Sequence, residues 1–367
     1  MLKNSVKSLI LIALLLSGAE YTQAQKSGKV SKKEKHPRNV IIMIGDGMGL
    51  AQMYAAYTAT DGKLRLAEFE HIALSKTYSA NDYTTDSGAG GTAIACGVKT
   101  NNGMIGMNPD SVAVKSILRL AEEHGLSTGL VVSCDVTHAT PASFVASVPN
   151  RKQSEDIAKQ YLDTDIDVFI GGGYDAFAKR SDSLNLIDQL VKRNYQVATA
   201  IPAMLEVNSG KLAALLYPAH PPRVSEGRGD MLSLSVAKAI DLLKTNKDGF
   251  VLMVEGSQID WGGHGNDTDY VVEEVIDFDK AIGVALDFAR HDQQTLVIIT
   301  ADHETGGMAN AGGNFKTGEA KGAFTTGNHS AIPVPTYAFG PGAENFKGII
   351  ENTDIFRLMS KLLGFSK

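Results

Sequence analysis

Cysteine is scarce in this chain: its 367 residues contain two, Cys96 and Cys134. That excludes a disulfide-stapled scaffold. Both lie in apolar segments of a chain long enough to build a large core, which favours two buried thiols over the alternative of a pair. Positive charge is also in short supply. A net charge of −6 argues against a nucleic-acid binder. It does not exclude an anionic substrate, because bound cations can dominate a local potential. No apolar run is long enough to span a bilayer as a helix. The run from Leu9 to Leu16 is too short. It follows Lys3 and Lys7 and precedes Thr22-Gln23-Ala24, so residues 1–24 read as a secretory signal. No lipobox-type cysteine follows. Residues 25–37 read as a polar, lysine-rich tether, and 38–367 as a single domain. The expected location is periplasmic or secreted, with no membrane span once the signal is removed. There is no internal repeat.

Beyond residue 37, apolar runs alternate with segments of helical spacing. Strands are expected at Asn39–Ile44, Gly129–Cys134, Asp167–Ile170, Tyr195–Ala198, Gly249–Val254, Thr295–Thr300 and Val334–Phe339. Helices are expected at Ser111–His124, Ser154–Leu162, Leu184–Arg193, Met231–Leu243, Asp269–Arg290 and Thr353–Leu363. The stretch from Gly306 to Asn328, rich in Gly, Thr and Asn, reads as a loop. Continuous apolar strands are those covered on both faces. The pattern predicts an α/β fold, a three-layer α/β/α sandwich around a largely parallel sheet.

The segment "TTDSGAGGTAIACGVKT" from Thr84 to Thr100 ends in a way that resembles a phosphate-binding loop. Val98 separates glycine from lysine, however, so that pattern fails. A dinucleotide fingerprint fails as well, because no apolar strand leads directly into the glycines. What remains is a plain glycine-rich turn or a serine nucleophile, Ser87, at a helix start among small residues. Elsewhere, acids and histidines gather where apolar strands end: Asp46; Glu255 with Asp260 and His264; Asp302-His303; and His329 after the glycine-rich stretch. Each alone has a bland reading as a helix cap or a core residue. Brought to one sheet edge, they would repel unless cations intervened. A His/Asp set without cysteine suits Zn²⁺, and an all-oxygen set suits Mg²⁺.

The motifs "IIMIGDGMG", "TTDSGAGGTAIACGVKT", "THATPASFVASVPNR", "VEGSQIDWGGH", "TADHETGG" and "GNHS" closely resemble those of the alkaline phosphatase family, in family order, from Val40 to about Phe365. The resemblance implies an alkaline-phosphatase-like fold and a phosphomonoesterase of broad specificity for small phosphate monoesters. It further implies two Zn²⁺ ions and a third, Mg²⁺-type ion. Ser87 matches the nucleophile that becomes phosphoserine, and Arg151 the residue that grips phosphate oxygens. Asp302 and His303 match ligands of the ion beside the serine, with Asp46 bridging to the third ion. Asp260, His264 and His329 match ligands of the other zinc. Asp46, Thr140 and Glu255 match the third site. His138 and Trp261 stand where one branch has Asp and Lys, and are expected beside the third ion. A sulfatase would need a C/S-x-P-S-R context that is missing around Ser87. A diesterase usually lacks residues like Thr140 and Glu255. A phosphate- or metal-binding protein without turnover would not need Ser87. A homodimer is compatible with the resemblance, but the short segment between His303 and His329 leaves the oligomeric state open.

Overall fold

A computed structural model describes residues 36–365. The signal expected over 1–24 and the tether, up to residue 35, lie outside the described residues. Among the described residues the strands run in chain order as β1 (Asn39–Gly45), β2 (His71–Lys76), β3 (Ser127–Asp135), β4 (Val168–Gly172), β5 (Tyr195–Ala198), β6 (Lys211–Leu215), β7 (Phe250–Gly256), β8 (Thr295–Thr300), β9 (Glu304–Thr305), β10 (Ala309–Asn314), β11 (Glu319–Ala323), β12 (His329–Ser330), β13 (Val334–Phe339) and β14 (Gly348–Glu351). Ten of them form one sheet in the order β14-β2-β13-β8-β1-β7-β3-β4-β6-β5. The sheet is parallel except at β13, which runs antiparallel to β2 and β8. The other four form two small antiparallel ribbons, β10–β11 and β9–β12.

Strand β1 is buried along its whole length, and its side chains alternate between two cores. Ile41 and Met43 join Leu252, Val254, Val297 and Ile299 on one face. Val40, Ile42 and Ile44 join Val251, Met253, Leu296 and Ile298 on the other. Helices Met231–Leu243 and Thr268–Asp292 cover the first core, and helices Ser87–Cys96, Ile117–Glu123 and Asn352–Leu362 the second. This is the expected three-layer arrangement. Burial on both faces is why the central strands read as unbroken apolar runs rather than alternating ones.

Two expectations differ from the structure. The helix expected from Ser111 starts only at Ile117, because the Ser116 hydroxyl accepts the backbone N–H of Arg119 (3.2 Å) and caps it there. The stretch from Gly306 to Asn328 is not a plain loop. It folds as the β10–β11 hairpin, closed at its base by the β9–β12 ribbon. Its glycines and asparagines gave no strand signal, because every β10 residue is exposed and no apolar face is required. The hairpin lies along helix Leu50–Ala59, where Asn310 Nδ2 donates to the Ala51 carbonyl (3.0 Å) and Phe315 meets Tyr54 and Tyr57 edge-on. Cys96 and Cys134 are both buried, unpaired thiols.

Candidate active site

Strand register sets the height of the site. Ile44 of β1 lies level with Glu255 of β7 and Thr300 of β8. Asp46 and Asp302 follow two residues later, so their carboxylates emerge together just beyond the carboxyl ends of β1 and β8. That is where open parallel sheets bind ligands. Gly47 makes the turn at φ +71, and a Cβ there would fall 2.6 Å from Thr305 Oγ1. The chain can leave β1 this way only with glycine.

Ser87 opens its helix, capped by Asp86, whose side chain accepts the N–H of Ala89 (2.9 Å). The serine is buried at 2% exposure, yet its Oγ reaches His303 Nε2 at 3.2 Å. Arg151 Nη1 donates to Asp86 Oδ2 (2.8 Å), which brings the guanidinium beside the serine. The small residues of this helix have a packing role. A Cβ on Gly88 would meet the Met104 carbonyl at 3.0 Å, and one on Gly90 the Asp302 carbonyl at 3.0 Å. Gly90 lets the helix seat closely against the end of β8, and Gly88 against the segment that contains Met104.

Two clusters follow, each with ligand atoms within 4.8 Å of one another: Asp46, Asp302 and His303, and Asp260, His264 and His329. In the first, Asp302 Oδ1 accepts the N–H groups of Gly47 (3.3 Å) and His303 (3.0 Å). Its Oδ2, like Asp46 Oδ1, is buried without a hydrogen bond. Both face His303 Nε2, at 3.2 and 3.4 Å. Thr305 decides which His303 nitrogen carries the proton. Its Oγ1 donates to Asp260 Oδ1 (2.5 Å), so it can only accept from His303 Nδ1 (3.2 Å). His303 therefore presents a lone pair at Nε2 to two buried carboxylate oxygens.

The second cluster obeys the same logic. His264 Nδ1 lies 2.7 Å from the Gly327 carbonyl and His329 Nδ1 2.8 Å from the Thr85 carbonyl. Both Nδ1 atoms must donate, and both Nε2 atoms turn lone pairs towards Asp260, at 3.4 Å each. The antiparallel pairing of His329 with Thr305 returns that histidine to the site after the hairpin. A ring nitrogen that donates to a carbonyl while the other points at carboxylates is the usual arrangement of a metal-ligating histidine. The buried unpartnered oxygens and the convergent lone pairs fit cations at both clusters.

A third corner joins Asp46, Thr140 and Glu255. Thr140 Oγ1 lies 3.5 Å from Asp46 Oδ2, and Glu255 Oε1 is a further buried oxygen without a partner. His138 lies beside it, with Trp261 6.4 Å away between ring centroids. The structure thus brings all twelve residues singled out in the sequence to one sheet edge. It adds Asp86, Thr305, Cys134 and His220. His220 stands edge-on to Trp261 at 4.9 Å and to His138 at 5.7 Å, and receives the N–H of Asp135 on Nδ1 (3.1 Å). No spacing rule links it to the motifs. Asp86 adjoins Ser87 and could have been read as its helix cap.

Charge makes the site costly without cations. Burial, then the neighbouring Asp302, Asp260 and Glu255, holds Asp46 well above the usual carboxylate range. Burial pushes Asp302 up to about 6 and Glu255 up to about 8. Asp260 is buried as well, but the adjacent imidazoles of His329, His303 and His264 hold it far below that range. Burial, with Arg151 and His220 nearby, pushes His138 down to about 3, so its imidazole is neutral.

Comparison with known proteins agrees with this geometry. The family profile described as alkaline phosphatase matches residues 37–321. The chain is similar to Alkaline phosphatase 4 of Bacillus subtilis, 34% identical over 442 aligned residues that cover 98% of this chain and 95% of that protein. Its fold is similar to that of the alkaline phosphatase from the Antarctic bacterium TAB5, with a TM-score of 0.86 and 40% identity, covering 91% of this chain and all of that one. A histidine-to-aspartate mutant of the TAB5 enzyme, with Mg bound in its M3 site, aligns equally well, with a TM-score of 0.86 and 39% identity over the same share of each chain. This chain therefore belongs to the alkaline phosphatase family, and is a phosphomonoesterase with metal sites.

Proposed function

We propose that the protein is an exported phosphomonoesterase that transfers the phosphoryl group to Ser87 and then to water, using two zinc ions and a third, magnesium-type ion. The observation that carries this reading is the convergence of Ser87 Oγ, the His303 Nε2 lone pair, and the unpartnered oxygens of Asp46 and Asp302. Asp46, Asp302 and His303 would hold the ion beside the serine, Asp260, His264 and His329 the second zinc, and Asp46, Thr140 and Glu255 the third ion. When bound, the cations lower the pKa of hydroxyl groups and neutralise the charge that develops on the phosphoryl oxygens.

Ser87 Oγ attacks phosphorus as the bond to the ester oxygen breaks on the opposite side, releasing the alcohol and leaving phosphoserine. Water then cleaves the new P–O bond, freeing phosphate and restoring the hydroxyl. Arg151 grips two phosphoryl oxygens. Its fork suits that bidentate contact, and the pair with Asp86 holds it at the serine. Asp86 caps the helix whose first N–H groups face the phosphate. Thr305 and the carbonyls of Thr85 and Gly327 keep the imidazoles in the tautomer that leaves Nε2 free. No histidine is needed as general base, because bound cations would lower the pKa of the serine hydroxyl and of water. The third site offers oxygen ligands, which suit a hard ion. If His138 is equivalent to the residue exchanged in the TAB5 mutant, its imidazole is the group that keeps this corner from being fully hard. A chromogenic monoester assay with and without chelator, combined with detection of phosphate on Ser87, tests the proposal. Chelator-resistant hydrolysis, or turnover without label on Ser87, would overturn it.

A further inference from the structure

Beside the third site lies a thiol, Cys134, that the phosphatase reading does not use. Cys134, His138 and Glu255 offer ligand atoms that all lie within 4.8 Å of one another. Cys134 comes from β3, Glu255 from the neighbouring β7, and His138 from the turn that leads into helix Ala139–Val145. Cys134 and Glu255 are fully buried. The Cys134 thiol lies 3.4 Å from Glu255 Oε2, whereas Glu255 Oε1 and His138 Nδ1 are buried without any hydrogen-bond partner. A thiol that merely donated to a carboxylate would account for one of these atoms and leave two unsatisfied, which is uncommon in a core.

We propose that Cys134, His138 and Glu255 form a seat for a thiophilic d-block cation of the zinc class, sharing Glu255 with the third site. Only the assignment of Glu255 is borrowed from the proposed function. Bond lengths of about 2.3 Å to sulfur and 2.1 Å to oxygen at a tetrahedral centre put the two ligands roughly 3.6 Å apart, close to the spacing of Cys134 and Glu255. Three protein ligands leave a fourth position for water or a phosphate oxygen. Sulfur, imidazole nitrogen and one carboxylate select a soft or borderline ion, whereas Asp46, Thr140 and Glu255 select a hard one. The two seats adjoin but differ in the ion they prefer.

The test is cobalt spectroscopy on the full-length protein, stripped with chelator and reloaded with saturating Co²⁺. Thiolate bound to cobalt gives a near-ultraviolet charge-transfer band, which oxygen and nitrogen ligands do not. The band is expected in the wild-type protein, lost in Cys134→Ser, and kept in Cys96→Ser, whose thiol faces the Ser143 carbonyl instead. A wild-type protein without the band overturns the seat, as does a band that survives Cys134→Ser. Should Cys134→Ser fail to fold, the wild-type titration and Cys96→Ser still decide. Labelling of Ser87 with phosphate in the same zinc- and magnesium-loaded protein separates the two readings. Label without a cobalt band removes the seat alone, and a band without label removes the phosphoserine reading alone.

Discussion

His264 Nε2 and His329 Nε2 lie 3.1 Å apart, and each ring's Nδ1 faces a backbone carbonyl. Two lone pairs at that distance repel unless a cation, metal or proton, sits between them and Asp260. In the proposed function this pair, with Asp260, would hold the second zinc. His264→Ala is expected to reduce bound zinc by one ion per chain and to weaken the remaining affinity there by at least about 10-fold. Elemental analysis after dialysis against limiting zinc measures it. Unchanged zinc content would mean that the histidines share a proton instead.

Ser87→Ala should abolish phosphoenzyme and most turnover while leaving the fold intact. The hydroxyl makes one side-chain hydrogen bond, to His303, and the alanine methyl fits where Cβ already stands. Thermal melting and acid-quenched labelling with radioactive phosphate check both halves. Label on the mutant would contradict the assignment.

Arg151→Ala should weaken inhibition by inorganic phosphate by on the order of 1.5–3 kcal/mol, the worth of a charge-assisted contact. Bound metal should change little, since Arg151 pairs with Asp86 and not with any candidate ligand. Arg151→Lys should recover only part of the loss, because an ammonium cannot make the forked contact. An unchanged inhibition constant places the arginine outside the phosphate site.

Metal removal should invert the pH dependence of stability. In the stripped protein, Glu255 is pushed up to about 8, and Asp46 also lies well above its usual range. Groups with raised pKa contribute stability that is lost as pH rises through the folded-state value. His329, also raised, acts in the same direction. His303 and His138, held neutral by burial, oppose this only below about 6.5. Asp260, held low, contributes a constant amount across this range. Between pH 6.5 and 8 the stripped protein should therefore lose on the order of 2 kcal/mol per titrating carboxyl. The metal-loaded protein should gain or hold stability over the same range, because ligands bind as deprotonated groups. Parallel melting curves for the two forms would refute this.

The double change His138→Asp with Trp261→Lys should strengthen phosphate inhibition and increase dependence on Mg²⁺. The new carboxylate would face Asp46 and Glu255, and the new ammonium could hold phosphate through water. His220 packs against both native rings, so the variant needs a folding control. A folded variant with the wild-type phosphate inhibition constant and Mg²⁺ activation would show that the two residues serve packing alone.

The sequence by itself determined the central strands and the chemistry at their ends. Strands β5, β8 and β13 and the helix Met231–Leu243 coincide with the segments expected, and β1 runs one residue further, because burial and periodicity are written locally. Asp46, Glu255 and Asp302 could be assigned to one edge because they follow apolar parallel runs. β6, Lys-Leu-Ala-Ala-Leu, was not among the strands expected, because it contains no β-branched or aromatic residue. Only the tertiary structure decided which groups meet. His329 lies 65 residues from His264 and reaches it through a hairpin with no apolar pattern. Thr305 sets the His303 tautomer through a bond to Asp260, 45 residues away. Cys134, read as a core thiol, is turned towards Glu255 by the pairing of β3 with β7. Side-chain periodicity records which face is buried. The partners on that face follow from strand order, register and loop closure, and these are properties of the whole chain.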